Sequence, residues 1–220
     1  MSQHLPRQLT FLKQKLLTIG AHVEKALANA VTSLVNRDRE MAADVIEGDH
    51  EIDRLEVDCE EECLKTLALY QPVATDLRFV VGVLKINNDL ERIGDLAKNI
   101  AKRAVFLSGV ERSDMIGELR PMAAKAQSMV KRALDAFVNG NSDLAHTVRK
   151  DDDEVDLIRR DFQQRALDRV RTDPEQALVW LNLNSASKHI ERLADMAVNI
   201  AEDVIYMVEG EIIRHQPDPV

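Results

Sequence analysis

Residues 89–101 read DLERIGDLAKNIA and residues 189–201 read HIERLADMAVNIA. Each places a glutamate and an aspartate four apart, Glu91 with Asp95 and Glu191 with Asp195. On a helix that spacing stacks both carboxylates on one face, about 5–6 Å apart. Like charges so placed cost a few tenths of a kcal/mol in an isolated helix, and the chain accepts the cost twice. Two more pairs, Asp49 with Asp53 and Asp152 with Asp156, have the same spacing. Four carboxylates from two adjacent helices can surround one or more cations. Oxygen-only ligation suits Mg, Ca or Mn and extends to Fe or Zn. Carboxylates also bridge paired ions ~3.5–4 Å apart.

The competing reading is a solvated acidic face neutralised by basic neighbours. In the first copy Lys98 follows Asp95 by three residues and Lys102 lies one turn further on. In the second copy Val198 and Glu202 stand at those positions, so local relief is missing. Conversely, Arg159 stands where the first copy has Glu56. The repetition favours the metal reading, because two copies that diverged elsewhere both kept these acids.

Other chemistries find little support. Two Glu-x-x-His motifs would suggest a ferritin-like di-iron site. Glu47 and His50 supply one, but the counterpart is Lys150 with Asp153. No glycine-rich phosphate loop and no G-x-S-x-G elbow occurs in the chain. Paired carboxylates act as acid and base only where their surroundings split their pKa values, which rows on a helix shoulder do not promise. Cys59 and Cys63 are four apart, unlike the CxxC of zinc or redox motifs, and read as reduced packing thiols. His22, His146 and His189 lack a Cys or His partner at ligand spacing and read as surface or packing residues. Trp180, the only tryptophan, reads as core or inter-bundle packing. The chain is therefore expected not to be an enzyme. A metal buffer or metal-dependent hydrolase is the alternative function, and an ion-free helical scaffold a third.

The elements that position these acids are long helices written twice. Residues 36–58 align with residues 139–161 at an offset of 103, and the two quoted stretches align at an offset of 100. Each half reads as three helices. In the first half these run over about Leu9–Asn36, Arg39–Tyr70, and from a cap at Thr75 or Asp76 to about Leu107. In the second half they run over about Met115–Asn139, Ser142–Arg171 and Pro174–Glu209. Asp173 caps the last of these, with Pro174 at its first position. SGVERSD (108–114) is the boundary between halves. The predicted domains are 1–110 and 111–210, each a three-helix bundle, with 211–220 as a frayed tail. Helices near thirty residues hold only when packed lengthwise. The fold class is all-α, a tandem duplication of two three-helix bundles with six long helices. Leu90, Ile93, Ala97, Ile100, Ala101 and Ala104 make a core-facing stripe, with Glu91, Asp95 and Asn99 along its shoulder.

Composition agrees with aliphatic helices. Apolar residues are 45% but aromatics only 4%, with few glycines (8) and prolines (6). The net charge of -9 makes nucleic acid an unsuitable partner and favours metal cations or basic protein surfaces. No signal-peptide h-region is evident at the start, and no run approaches the ~18 apolar residues that span a bilayer. These features lead us to expect a cytoplasmic protein without direct membrane insertion.

Several linked blocks together resemble the PhoU family of bacterial phosphate-uptake regulators over nearly the whole chain. They are VIEGDHEIDRLE (45–56), QPVATDLR (71–78), DLERIGDLAKNIA (89–101), DDEVD (152–156) and HIERLADMAVNIA (189–201). The resemblance implies two three-helix bundles related by an internal pseudo-twofold. It also implies E(D)-x-x-x-D metal sites at Asp49, Asp53, Glu91, Asp95, Asp152, Asp156, Glu191 and Asp195. Iron, zinc or another ion such as Mg or Mn would occupy them. It implies a negative regulator of phosphate-starvation signalling and uptake. Such a regulator links the ATPase subunit of the phosphate ABC transporter to a sensor histidine kinase, commonly as a homodimer. Two departures stand out. Leu178 replaces Arg78 in the second half, which suggests that the halves are not equivalent, and Ala194 replaces Gly94.

Overall fold

The computed structural model describes residues 4–110 and 114–213. Part of the expected boundary segment (111–113) and of the expected tail (214–220) lies outside the described residues. The long helices are α1 (His4–Asn36), α2 (Arg39–Tyr70), α3 (Ala74–Ser108), α4 (Leu119–Asn139), α5 (Ser142–Lys150), α6 (Asp152–Thr172) and α7 (Ala177–Glu209). Two short 3₁₀ turns, Asp114–Glu118 and Pro174–Gln176, precede α4 and α7.

The period seen in the sequence sets what is buried. Leu12, Leu16, Ile19, Val23, Leu27, Ala30 and Leu34 of α1 recur every three or four residues, and all are buried. In α3 the buried row runs through Val83, Ile86, Leu90, Ile93, Ala97, Ile100 and Ala104. In α7 it runs through Leu183, Ile190, Leu193, Ala197, Ile200 and Val204. The third helix of each half packs on its own bundle and also on its counterpart. One apolar core therefore runs through both halves.

Contacts along the α3–α7 seam fix its direction. Lys85 meets Asp203, and Arg103 meets Asn182, so the two helices run antiparallel. Gly82 of α3 lies directly against Met207 of α7. A β-carbon there would stand 2.2 Å from Sδ of Met207.

The turns repeat as the helices do. After α1, Arg37 takes a left-handed backbone (φ 59°), and Asp38 then accepts the Met41 N–H at 3.0 Å to cap α2. At the matching place after α4, Gly140 is left-handed (φ 58°), and Asn141 accepts the Leu144 N–H at 3.0 Å. Arg37 also reaches the far end of α3, donating to the carbonyls of Leu107 at 3.1 Å and Ser108 at 3.3 Å.

Three local details differ from the sequence reading. The helix expected over 142–171 is interrupted at Asp151, where four consecutive acids, Asp151 to Glu154, meet. The Asp151 carboxylate turns to α4 instead, hydrogen-bonded by Arg132 with Lys125 3.5 Å away. The α3 N-terminus lies at Val73, whose side chain makes no capping bond, rather than at Thr75 or Asp76. Asp173 does precede Pro174, but it opens a 3₁₀ turn without a side-chain cap, and the α-helix proper begins at Ala177. Cys59 and Cys63 are buried, free thiols one helical turn apart. Among the described residues, no helix is long and apolar enough to cross a membrane.

Candidate metal-binding carboxylate clusters

Antiparallel packing of α2 against α3 sets the first-half acids opposite one another. Asp49 and Asp53 project from α2, and Glu91 and Asp95 from α3. Burial pushes the Glu91 carboxyl up from its ordinary pKa, and repulsion from Asp95, Asp53, Glu56 and Asp49 adds to it. The other three sequence-predicted acids of this half thus all act on Glu91, with Glu56 as a fourth.

Asp49 is 3% exposed, and a buried carboxylate needs a partner. It has one in Lys98 of α3, whose ammonium hydrogen-bonds Oδ2 of Asp49 and also lies 3.8 Å from Oδ1 of Asp95. The hydrogen bond to Asp49 is the first cause that raises the Lys98 pKa. Lys98 therefore holds the positive charge that the first cluster requires. Asp53 remains half in water, 3.8 Å from Nδ1 of His50.

The second half repeats the scaffold without that lysine. Asp152 and Asp156 of α6 face Glu191 and Asp195 of α7, and Val198 stands where Lys98 would be. Burial raises the Asp152 pKa to about 6, and repulsion from Asp195, Asp156, Asp153 and Glu191 contributes in that order. Asp195, although still in reach of water, is pushed up first by desolvation, then by Glu191 and Asp156, with Arg192 opposing. Oδ1 of Asp152 is buried and has no hydrogen-bond partner. Arg159 of α6 reaches into the cluster, with Nε 3.5 Å from Oε2 of Glu191.

The eight predicted acids therefore gather as two separate quartets, one per half, rather than one shared site. Among the described residues, no three of the His, Cys, Asp and Glu side chains stand close enough to hold an ion as they lie. The quartets are clusters of mutually repelling oxygens, and the second holds a buried carboxylate oxygen, Oδ1 of Asp152, without a partner. Sequence spacing did not reveal that Lys98 crosses to Asp49. Its i+3 relation to Asp95 was visible, but the span to α2 depends on how closely the two helices pack.

The predicted packing residues hold their places. Trp180 is buried at the start of α7, with the Arg169 guanidinium 5.8 Å over its ring. His146 lies 3.8 Å from Glu209. His189 is the exception, because burial and then Arg103, Arg192, Lys188 and Lys102 hold its pKa down to about 4. Comparison of position 89 with position 189 signals the change, since aspartate stands at the first and histidine at the second.

Comparison with known proteins agrees with this architecture. Residues 16–104 and 119–204 each match the PhoU domain. The phosphate-specific transport system accessory protein PhoU homolog of Pseudomonas aeruginosa is 38% identical over 98% of this chain and 89% of its own length. The homolog of that name from Aquifex aeolicus is 37% identical over 96% of this chain and 95% of its own. The crystal structure of PhoU from Pseudomonas aeruginosa superposes with a TM-score of 0.92 at 37% identity, covering 94% of this chain and 100% of that one. The phosphate transport system regulatory protein PhoU from Streptococcus pneumoniae gives 0.89 at 28% identity, over 95% and 99% of the two chains. These relatives are named as accessory or regulatory proteins and not as enzymes. With both halves matched and the relatives aligned end to end, the chain belongs to the PhoU family, as a tandem pair of PhoU domains.

Proposed function

We propose that this protein is an accessory protein of phosphate-specific transport and works as a cytoplasmic, metal-binding adaptor. It docks on the ATPase subunit of a phosphate ABC transporter and on a sensor histidine kinase. Through them it restrains phosphate uptake and represses phosphate-starvation genes. The observation that carries the reading is the end-to-end likeness to relatives bearing that accessory name. A two-fold homodimer is the assembly we expect.

The donor set fits a hard or borderline cation. Asp152, Asp156, Glu191 and Asp195 would hold it in the second half, and Asp49, Asp53, Glu91 and Asp95 in the first. The supporting observation is the buried, unpartnered Oδ1 of Asp152 among carboxylates that raise its pKa. When bound, an ion of Fe, Zn, Mg or Mn supplies the positive charge that offsets this repulsion. The chain's own residues decide where that is needed. Lys98 already neutralises Asp49, so the first quartet binds only when Lys98 swings away. In the second quartet Arg159 engages Glu191 and Arg192 partly offsets Asp195, while carboxylates surround Asp152. The second quartet is therefore the tighter site. Its closure would tie α6 to α7 and stiffen the face that adaptors present.

Elemental analysis of purified protein, with thermal melts before and after chelation, tests the metal part. An ion at 100 times its dissociation constant adds about 2.7 kcal/mol. Absence of metal and an unchanged melt would remove it. Pull-downs with the transporter ATPase and with the kinase sensor domain test the adaptor part. Failure to capture either, with or without metal, would overturn it.

A further inference from the structure

The offset of 100 that relates α3 to α7 also relates the two flanks of their antiparallel seam. One flank is a groove of about 570 Å³. Its charged lining is Glu60, Lys85, Asp89, Arg92 and Asp203. Four of these charges are closed on one another in two pairs. Lys85 donates to Oδ1 of Asp203 at 3.0 Å, and Nη1 of Arg92 lies 3.6 Å from Oδ1 of Asp89.

On the opposite flank every acid of that set has been replaced. Asp89 becomes His189, Asp203 becomes Arg103, and Glu60, at the offset of 103, becomes Gln163. Arg92 is kept as Arg192, the neutral Asn88 becomes Lys188, and Lys85 becomes Ser185. The change replaces a nearly balanced set of charges with a cationic one within a chain of net charge -9. Among the described residues, none of Arg103, Lys188 and Arg192 has a carboxylate oxygen within the 4.0 Å of an ion pair. Arg103 spends one N–H on Asn182, Nη1 to Oδ1 at 3.1 Å. Its Nε, like Nδ1 of His189, is out of water and has no protein partner. Ser185 Oγ lies 3.5 Å from Nε2 of His189 and adds a hydroxyl to the group. Among the described residues, the charged groups that act on His189 are cations, Arg103 foremost.

We propose that this flank of the seam, built from Arg103 of α3 and Ser185, Lys188, His189 and Arg192 of α7, is a binding site for a phosphate-type oxyanion. Two guanidinium forks, an ammonium and a hydroxyl approach from two helices, which suits an acceptor with several oxygens in three dimensions. A single carboxylate would satisfy fewer of them. The site shares no residue with either quartet and does not depend on their binding a metal. The ligand joins α3 of the first half to α7 of the second, so occupancy would strengthen the seam between halves.

The test is calorimetric titration of the full chain with inorganic phosphate in chloride buffer, with sulfate titrated in parallel and with the protein both chelator-treated and untreated. Saturable phosphate binding that survives chelation is expected. Lys188→Gln, at an exposed position, and Arg103→Gln should each weaken it about tenfold or more. Arg92→Gln on the opposite flank should leave it within about twofold. No saturable binding at millimolar phosphate overturns the site. So does binding that Lys188→Gln leaves unchanged, or binding that disappears on chelation, which would assign the phosphate to a carboxylate-held cation.

Discussion

Asp49 and Asp152 occupy equivalent places and meet opposite surroundings. Asp49 is buried and matched by Lys98, whereas Asp152 has a buried oxygen with no partner and four neighbouring carboxylates. Removing one partner of a buried pair strands the other charge. Lys98→Met should therefore cost about 3 kcal/mol in urea unfolding, and Asp49→Asn made on top of it should recover much of the loss. For Asp152 the sign is reversed. Its folded pKa of about 6 lies above its ordinary value of 3.8, so the native state binds the extra proton between those limits. Its ionisation therefore imposes a penalty that is absent below about pH 4, grows as pH rises through 6 and is complete above it. In metal-free protein, Asp152→Asn should raise the thermal midpoint at pH 7 and flatten its change between pH 4 and 6. With metal added, the same substitution should lower the midpoint. A variant that is less stable than the parent in chelator at pH 7 would contradict the repulsion account. The quartets themselves were legible in the sequence, because carboxylates at i and i+4 must share a helix face. The division of labour within them was not. Whether a lysine serves the acid three residues back or one on the neighbouring helix depends on interhelical distance, which no single-helix spacing encodes.

Each helix is stopped by a device that sequence shows unevenly. Gly140 followed by Asn141 is readable as a stop and a start, and the structure uses both as such. Arg37 with Asp38 does the same work, but a left-handed arginine gives no sequence signal, since its conformation is held by bonds to the distant end of α3. The long helices were legible from their apolar period because burial enforces it on every turn. The break at Asp151 was not. The apolar period continues through Ala145, Val148 and Val155, and the interruption comes from charge and from the pull of Arg132. Gln71 offers a direct test at this scale. It ends α2 in a left-handed conformation (φ 47°, ψ 56°) in which its N–H still bonds Leu67 at 3.2 Å. A β-carbon is disfavoured there and glycine is not. Gln71→Gly should stabilise the fold by about 0.5–1 kcal/mol, read as a shift in the denaturation midpoint with an unchanged slope. Gly140→Ala should do the reverse by a similar amount, because its β-carbon would meet only Val208 at 4.0 Å and the backbone strain is what remains.

Duplication predicts that the halves are interchangeable across their seam, yet the charges along it are not. In the intact molecule Lys85 faces Asp203, and Arg103 faces Asn182 near Ser185. If two copies of the first half paired as α3 does with α7, Asp203 would be replaced by Arg103 of the other copy. Lys85 would then meet a guanidinium on both sides of the axis, a like-charge contact that costs association energy. Gly82, now beneath Met207, would face Leu107 instead and lose the side chain that fills its gap. Seam charges thus favour pairing of unlike halves. Fragments 1–110 and 111–220 mixed in equal amounts should form a one-to-one complex, while 1–110 alone should self-associate more weakly, as read by sedimentation equilibrium. Arg103→Asp in the first fragment restores the acid opposite Lys85 and should tighten its self-association about tenfold or more. The same substitution in the full chain should abolish the phosphate binding proposed for that flank. If the first fragment dimerises equally well with arginine or aspartate at position 103, charge does not decide how the halves pair, and apolar packing along α3 and α7 alone must do so.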